Sequence, residues 1–386
     1  MKQLFNISAF LILFCPVARS QSGCWTQKAN IGVGRVAAVG FSIGTKGYIG
    51  TGYDGFSWLS DFWEWDQATD TWSQKASIPA PARELAVGFS IGTKGYIGTG
   101  RDSAVICYND FWEWDQTTNI WLQKASLPAS ARWAAVGFSI GNKGYIGTGR
   151  DNNFLFSDFW EYDPLSDIWS QKANYPFIRE HAVGFSIGNK GYIGTGNWTG
   201  STVFCEYDQS LNVWTGKANF SGTPRTEAVG FSIGNKGYIG TGNPSGFPGN
   251  FNDFCVWDQS TDTWTQSCYI PTSGRSLAVA FSIGTKGYCG TGLGGALQDL
   301  WELDALVGTE DIEKLQASIY PNPSNGNFSI SINEKEFTVT VYDVSGKVVC
   351  ESKNEKQINI TDKPSGIYFL RITTKEGTVN RKIIKE

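Results

Sequence analysis

Residues capable of acid–base chemistry recur at one kind of position in this sequence, one or two places after a repeated arginine. They are Glu84, Glu180, His181 and Glu227. Carboxylate and imidazole groups accept and return protons, and beside an arginine they could move a proton to or from a sugar hydroxyl. Glu180, His181 and Glu227 are therefore the candidate catalytic residues if the protein is an enzyme.

Metal chemistry and nucleic-acid binding find little support in the composition. His181 is the single histidine of the chain, which excludes a multi-histidine zinc or copper site. No pair of cysteines has the Cys-x-x-Cys spacing. We expect no metal and no cofactor. A net charge of -4 and a pI near 5.3 argue against nucleic acid as a partner.

The repeated arginines, which we call the lead arginines, open six related segments. They are Arg35, Arg83, Arg132, Arg179, Arg225 and Arg275. Their guanidinium groups could surround a pore mouth and bind carboxylates or sugar acids through paired N–H donors. On this interpretation the candidate binding residues are Arg83, Arg132, Arg179 and Arg225.

The alternative role of the lead arginines is structural. Glutamates recur in the third strand of five of the six segments, and one arginine–glutamate pair per segment would neutralise two buried charges. These glutamates are Glu64, Glu113, Glu161, Glu206 and Glu302. The sequence favours this structural pairing and leaves the binding role open.

The segments that position these residues contain near-identical copies of the sequence from Ala38 to Gly52, AVGFSIGTKGYIGTG. Successive copies are spaced by 46 to 50 residues. Each copy predicts four short strands, illustrated by Val39–Ile43, Tyr48–Gly50, Asp61–Asp66 and a strand around Trp72. Four antiparallel strands in fewer than about 50 residues, without helical periodicity, are typical of one blade of a β-propeller.

The pattern resembles the Kelch repeat over residues 24 to about 304. The matching features are the lead arginine, the Gly-rich second strand, the Glu-x-Tyr/Trp-Asp third strand and a tryptophan six residues after that aspartate. The sequence departs from the family at Gly50-Thr51-Gly52, where Kelch repeats have adjacent glycines. The resemblance implies an all-β, six-bladed Kelch-type propeller.

The two ends of the repeat region predict how the ring closes. Trp25–Ala29 matches the fourth strand of a copy but has no blade of its own, while the last copy stops after its third strand, Asp299–Asp304. We therefore predict one propeller over residues 21–304, in which the N-terminal strand completes the sixth blade and leaves no open seam.

The remaining segments predict export. Residues 1–20 combine a basic start, an apolar run and small residues near Ser20, as a secretory signal peptide does, and they are too short to span a bilayer. Residues 305–318 form a linker. Residues 319–386 contain alternating runs that predict a small Ig-like β-sandwich.

This C-terminal segment resembles the sorting domain of type IX secretion substrates of the Bacteroidota. The matching residues are Tyr320–Ser324, Tyr342–Lys347, Gly366–Tyr368 and Lys382–Ile384. The resemblance implies that residues 319–386 are read by the type IX secretion machinery. It also implies a location outside the cell or on the outer-membrane surface, with no membrane-spanning segment.

The cysteines are expected to be small buried thiols. Cys205 and Cys255 replace tryptophans of other copies, Cys268 replaces Ala76, and Cys289 replaces Ile49. No particular disulfide is predicted.

Divergence among the copies is concentrated on one side of the predicted ring. The hairpin after the first strand and the turn after the third hardly vary, and we call their side the uniform face. The residues after each lead arginine and the loops between second and third strands vary freely, and we call their side the variable face. Such loops can change without harming the core, so the variable face is the candidate for binding.

We expect this face to bind a glycan or a protein. Glu84, Trp133, Glu180, His181 and Glu227 would contact the ligand, and Trp58 and Trp198 would offer further stacking planes. The alternative is a sugar-processing enzyme, because six-bladed Kelch proteins include a sialic acid mutarotase; a lyase is also conceivable. A third class is an adhesin in which the ring is only a spacer. Ligand identity and oligomeric state are not indicated.

Overall fold

The computed structural model describes residues 24–244, 249–294, 297–305, 317–332, 334–344, 346–374 and 377–386. The proposed signal peptide and most of the proposed linker lie outside these ranges. The chain divides into two compact units, Met1–Ala305 and Leu306–Glu386. The described residues form strands and loops without a helix, and none of them forms an apolar helix of membrane-spanning length.

The first unit is a ring of six four-stranded antiparallel sheets, which we number as blades 1 to 6. Each blade follows the chain from its innermost to its outermost strand. Blade 1 contains β2 (Val39–Ile43), β3 (Lys46–Gly50), β4 (Phe62–Asp66) and β5 (Thr71–Lys75). Blade 2 contains β6 (Val87–Ile91), β7 (Lys94–Gly98), β8 (Phe111–Asp115) and β9 (Ile120–Lys124). Blade 3 contains β10 (Val136–Ile140), β11 (Lys143–Gly147), β12 (Phe159–Asp163) and β13 (Ile168–Lys172).

The second half of the ring repeats this arrangement. Blade 4 contains β14 (Val183–Ile187), β15 (Lys190–Gly194), β16 (Phe204–Asp208) and β17 (Val213–Gly216). Blade 5 contains β18 (Val229–Ile233), β19 (Lys236–Gly240), β20 (Phe254–Asp258) and β21 (Thr263–Gln266). Blade 6 contains β22 (Val279–Ile283), β23 (Lys286–Gly290), β24 (Leu300–Asp304) and, as its outer strand, β1 (Trp25–Lys28).

The predicted closure of the ring by the N-terminal strand is confirmed. Strand β1 pairs antiparallel with β24, with Trp25 opposite Leu303 and Lys28 opposite Leu300. The first strand of the propeller therefore lies in the same sheet as the last three. This pairing gives β24 a neighbour on both sides and leaves the ring without an incomplete blade.

A disulfide joins Cys24 to Cys268 beside this closure, with the two Cα atoms 6.2 Å apart. The expectation that Cys268 is a free core thiol is therefore wrong. Cys24 directly precedes β1 of blade 6, and Cys268 follows β21 of blade 5, so the bond ties the N-terminal strand to the neighbouring blade. Cys205, Cys255 and Cys289 are buried thiols.

Adjacent blades meet where a phenylalanine of one blade lies against a glycine of the next. Phe41 of β2 approaches the position that a Cβ on Gly95 would occupy to 2.6 Å, and Phe281 approaches that on Gly47 to 2.4 Å. All six junctions repeat this contact. The glycine of each Gly-Tyr pair is therefore required for close packing between blades, because any side chain there would displace the aromatic ring.

The second unit contains two antiparallel sheets, compatible with the predicted sandwich. One sheet contains β25 (Ala317–Tyr320), β26 (Asn327–Ile332) and β29 (Gln357–Asn359). The other contains β27 (Thr338–Tyr342), β28 (Val348–Lys353), β30 (Gly366–Thr374) and β31 (Gly377–Lys385). Buried side chains from both sheets, including Phe328, Val339 and Leu370, form one apolar core.

Candidate binding site on the variable face

A closed ring of main-chain hydrogen bonds surrounds the axis of the propeller, and we call it the backbone ring. It is formed by the second residue after each lead arginine, whose N–H donates to the carbonyl oxygen of the corresponding residue in the adjacent blade at 2.9 to 3.3 Å. Its members are Ala37, Leu85, Ala134, His181, Glu227 and Leu277. Six loops from six blades are thereby joined edge to edge.

All members of the backbone ring adopt a left-handed conformation, with φ between 50° and 57°. This conformation is unfavourable for residues other than glycine and asparagine, and is least expected for a leucine. The hydrogen bonds to both neighbouring blades maintain it. Strained backbone of this kind is often found at functional sites, and here it holds His181 and Glu227 at the axis.

A cavity of about 870 Å³ opens above the backbone ring, and we call it the cup. It receives side chains mainly from blades 2 to 5. Its lining residues are Glu84, Leu85, Arg101, Val105, Trp133, Arg150, Asn152, Leu155, Glu180, His181, Asn197, Trp198, Thr199, Glu227 and Leu277. The structure thus brings the five predicted residues Glu84, Trp133, Glu180, His181 and Glu227 together in one cavity.

Two arginine–glutamate pairs lie in the wall of the cup. Arg101 donates through Nε to Glu84 Oε1 at 3.0 Å, and its Nη2 lies 3.0 Å from the same oxygen. Arg150 Nη1 lies 3.3 Å from Glu180 Oε2. Glu180 is buried, whereas about a quarter of each arginine side chain is exposed. Each guanidinium is therefore anchored by a carboxylate while part of it faces the cavity.

Trp133 contacts both of these arginines and His181. The guanidinium carbon of Arg101 lies 4.1 Å from the centroid of the indole, and that of Arg150 lies 5.2 Å from it. The imidazole ring of His181 packs edge-on against the indole of Trp133, with the ring centroids 5.5 Å apart. Trp133 is only 7% exposed, and its buried Nε1 has no hydrogen-bond partner within the protein. Cation–π contacts thus fix both arginines against one indole.

The two titratable groups of the backbone ring are both held towards their neutral forms. Burial and then the charges of Arg101 and Arg150 lower the pKa of His181 to about 4. Burial raises the pKa of Glu227, and the Glu180 carboxylate adds to this effect, although Asn243 donates a hydrogen bond to Glu227 Oε2 at 2.8 Å. At neutral pH the imidazole is an uncharged acceptor or donor at the base of the cup.

The lead arginines are placed differently from expectation. They are 0 to 3% exposed and none of them lines the cup, so the structure does not bring Arg83, Arg132 and Arg225 together with the other candidate binding residues. Their carboxylate partners are aspartates just before the third strand, not the third-strand glutamates. In blade 3, Arg132 donates through Nη1 and Nη2 to Asp158 at 2.6 and 2.8 Å, and through Nη1 to the Thr148 carbonyl oxygen at 2.9 Å.

Arg179 differs from the other lead arginines because Val203 replaces the aspartate. It is 3% exposed, forms no ion pair with a described residue, and its Nε lacks a hydrogen-bond partner. The guanidinium carbon of Arg179 lies 5.5 Å from the ring centroid of Phe177 and 6.0 Å from that of Tyr175. It lies outside the lining of the cup, so the structure does not place it with the other candidate binding residues either.

The third-strand glutamates have other partners. Glu64 accepts a hydrogen bond from Tyr48 Oη at 2.6 Å and lies 3.1 Å from Lys75 Nζ. The same contact with the tyrosine of the second strand recurs in blades 2, 3, 4 and 6. These glutamates therefore bind adjacent strands of their own blade, and the expected arginine–glutamate pairing is wrong.

The two predicted stacking residues on loops have unequal positions. Trp198 lines the cup and is 67% exposed, so its indole face is open to a ligand. Trp58 is absent from the lining and packs against Tyr53, with ring centroids 4.7 Å apart. Only Trp198 is placed to contact a molecule held in the cup.

Arg101, Arg150 and Asn197 line the cup but were not identified from the sequence. Each directly follows a Gly-Thr-Gly segment, and Arg101 and Arg150 form bridges with Glu84 and Trp133, the residues after the lead arginines. The residue at this position differs from copy to copy, and this variation is the feature of the sequence that could have identified them. The sequence indicates that these loops vary, but it does not show which loop positions face the axis of the ring.

The text Gly40-Phe41-Ser42-Ile43-Gly44 has the spacing of a serine nucleophile motif, but its context differs. Ser42 lies within β2, which leads into a hairpin, and its Oγ donates to the Ser282 carbonyl oxygen of the adjacent blade at 2.7 Å. The nucleophile motif requires a strand followed by a helix. Ser42 therefore connects blades.

Comparison with known proteins assigns the two units separately. Residues 318–386 match the family described as secretion system C-terminal sorting domain. The second unit is a sorting domain. This match implies export through the type IX system to the cell surface or outside the cell, as the resemblance in the sequence does.

The propeller is similar in fold to the solved structure described as "Structure of YjhT". The TM-score is 0.61 at 18% sequence identity, covering 71% of this chain and 96% of that one. At this identity the likeness shows the fold alone, and it agrees with the propeller described above. No curated protein matches the chain. Within the described ranges, no group of three or more histidine, cysteine or acidic residues is arranged to hold a metal ion.

Proposed function

We propose that this protein is a secreted or surface-displayed Kelch-type propeller that binds a glycan in the cup. The observation that carries the proposal is the lining of this single concavity by two arginine–glutamate pairs, Trp133 and an exposed Trp198. A volume of about 870 Å³ lies within the range of small-ligand pockets, roughly 300–1,000 Å³. A protein partner would typically need a broad surface of about 800 Å² instead.

The chemistry of the lining suits a polyhydroxylated ligand. Each sugar hydroxyl both donates and accepts a hydrogen bond, and the Arg101–Glu84 and Arg150–Glu180 pairs present donors and acceptors side by side. Asn197 and Thr199 add further polar side chains to the lining, and Trp133 and Trp198 add aromatic ones.

The test is binding of the purified protein to a printed glycan library, followed by calorimetry on the glycans that bind. Replacing one neutral ion pair in the cup, by Arg150→Gln with Glu180→Gln, should reduce affinity at least tenfold without changing net charge. The matched control is Lys143→Gln with Asp163→Asn, which removes the 2.6 Å ion pair on the uniform face of blade 3. Unchanged affinity in the cup variant would reject the site.

A second function, conversion of a bound sugar, is favoured by one specific observation. Glu227 combines a pKa that burial raises with a place at the base of the cup beside His181, where its carboxyl could exchange a proton with a bound sugar. An NMR anomer-exchange assay on any monosaccharide that binds tests this function. Exchange that is faster with the protein and is lost in Glu227→Gln would establish catalysis, and exchange at the spontaneous rate would leave binding alone.

A further inference from the structure

The base of the cup is closed to anything larger than a small molecule. A neck of about 160 Å³ continues below it, and Leu85, His181, Glu227 and Leu277 line both spaces. The rest of the neck is lined by small side chains, namely Ala37, Ala38, Ala86, Ala134, Ala135, Ala182, Ala228 and Ala278. The neck offers less than a fifth of the volume of the cup, so most of the space open to a ligand lies in the cup.

The backbone ring prevents the neck from widening. Each of its six N–H groups donates to the adjacent blade, and separating any two blades would leave a donor and an acceptor unpaired in the interior. The blades themselves are in close contact through the phenylalanine–glycine junctions. A ligand can therefore reach the cup only from its mouth on the variable face.

The groups suited to bind hydroxyls lie deep within the cup. Glu180 is 1% exposed, Trp133 is 7% exposed and His181 is 8% exposed. An internal residue of a linear glycan has glycosidic bonds on two sides, so both neighbours would have to return through the mouth. A terminal residue has one such bond and enters without bending the chain.

We propose that the cup recognises the terminal residue of a glycan chain and that Trp198 binds the residue next to it. This inference rests on the proposed glycan-binding function. The polar groups of the wall come from blades 2 to 5, whereas the corresponding bridges of blades 1 and 6, Val36–Tyr53 and Ser276–Leu293, do not line the cup. The terminal residue therefore lies off the axis, against Arg101, Arg150 and Trp133.

Trp198 is placed for the second residue because of its exposure. It lines the cup at 67% exposure, so its indole lies at the mouth, whereas Trp133 is buried at the wall. A sugar ring that stacks on an exposed indole gains apolar contact on one face and keeps its other face in water. The chain beyond the terminal residue must pass the mouth in any case, and Trp198 lies there.

The experiment compares three probes drawn from a glycan that binds in the printed library. They are its terminal monosaccharide, the terminal disaccharide, and a longer chain in which that disaccharide is embedded away from the end. We expect the two terminal probes to bind and the embedded one to bind at least tenfold more weakly. Removal of the terminal residue by an exoglycosidase should abolish binding of the original glycan.

Trp198→Ala supplies the second measurement. It should weaken binding of the disaccharide about fivefold and leave that of the monosaccharide unchanged. The control is Phe56→Ala, which removes a side chain that is 92% exposed and outside the cup. Equal binding of embedded and terminal probes, or an equal loss for both sugars in Trp198→Ala, would overturn this inference alone. Failure of every glycan to bind would reject the proposed function itself.

Discussion

Arg179 shows how much a single residue changes the energetics of an otherwise repeated blade. In the other five blades an aspartate before the third strand accepts two N–H groups of the lead arginine, as Asp253 does from Arg225 at 2.7 and 2.8 Å. In blade 4 this position is Val203, and Arg179 is buried without an ion pair among the described residues. A buried cation without a carboxylate destabilises the folded state.

We therefore expect Val203→Asp to stabilise the propeller. The new carboxylate would pair with Arg179, and the gain should be about 1–3 kcal/mol, less than the loss on breaking an existing pair because Val203 gives up apolar contacts. Urea denaturation measures it. The matched control is Asp253→Val, which should lower stability by about 3–5 kcal/mol. A lower stability of Val203→Asp would contradict the proposed pairing.

His181 should make stability depend on pH. Its pKa falls from 6.5 in the unfolded chain to about 4 in the folded protein, so the unfolded state binds more protons between these values. Stability is then complete above pH 6.5 and decreases as the pH falls towards 4, by about 2 kcal/mol between pH 7.5 and pH 5.

The measurement compares wild type with His181→Asn by urea denaturation at pH 7.5 and pH 5. Asparagine tolerates the φ of 50° at this position, and the pH dependence of the carboxylates is largely shared by both proteins. The advantage of wild type over the variant should shrink by about 2 kcal/mol at the lower pH. The same advantage at both values would show that burial does not disfavour the charged imidazole.

The candidate site was predictable from single residues only in part. Glu84, Trp133, Glu180, His181 and Glu227 all follow lead arginines, so the repeat register was sufficient to group them on one face. The roles of the arginines could not be read in this way. A buried ion pair depends on which carboxylate lies within about 3 Å, and the aspartate before the third strand and the glutamate within it are only three residues apart.

At the scale of strands, the blade junctions conserve volume by pairing a large side chain with a small one. In the junction of blades 1 and 2, Ile78 lies in the same core cluster as Trp112. In the junction of blades 4 and 5, Phe220 lies in the same cluster as Cys255, which replaces the tryptophan. Tyr175 and Cys205 repeat the exchange between blades 3 and 4. At both junctions, therefore, a cysteine replaces the tryptophan and the aromatic side chain is supplied by the other residue of the pair.

This exchange predicts that the effects of substitutions at Phe220 and Cys255 on stability are strongly coupled. Phe220→Leu alone should leave a cavity, and Cys255→Trp alone should overpack the junction, each lowering stability by about 1–3 kcal/mol. The double variant restores the arrangement of the other junctions and should recover most of the loss, because the introduced indole can donate to Asp253 as Trp112 does to Asp110 at 2.8 Å. Thermal denaturation of all four proteins gives the coupling, and strict additivity would contradict it.

The strands themselves were largely predictable. The run from Val39 to Ile43 and the third strand ending at Asp66 appear within one residue of their expected bounds, and the second strand begins two residues earlier than expected, at Lys46. Alternating apolar residues and tight turns are local signals, so they survive in the sequence. The left-handed residues of the backbone ring were not foreseen, because their conformation is set by hydrogen bonds between blades.

At the scale of the whole molecule, two interactions of the N-terminal strand close the ring, a strand pairing and a disulfide. Strand β1 pairs with β24 within blade 6, and the disulfide between Cys24 and Cys268 connects the same strand to blade 5. The number of blades followed from counting copies. The disulfide did not, because its cysteines are 244 residues apart and become neighbours only when the ring closes.

The contributions of the disulfide and of the β1–β24 pairing to the stability of the ring can be measured separately. Cys24→Ser with Cys268→Ser should lower the free energy of unfolding by about 2–5 kcal/mol, since the unfolded chain loses a large covalent loop. Deletion of residues 21–30 removes β1 as well and should lower the melting temperature further. Lys347→Gln in the sorting domain serves as a control distant in sequence. A deletion that melts like the serine variant would show that β1 contributes nothing to closure.

The backbone ring has a consequence for how new specificities arise in this architecture. Its hydrogen bonds involve only peptide groups, so the side chains it carries are exchangeable, and alanine, leucine, histidine and glutamate already occupy equivalent places. A laboratory library that randomises these six codons together with those following each Gly-Thr-Gly would vary twelve positions, seven of which line the cup. The scaffold would tolerate such diversification, in the way an antibody framework tolerates changes in its hypervariable loops.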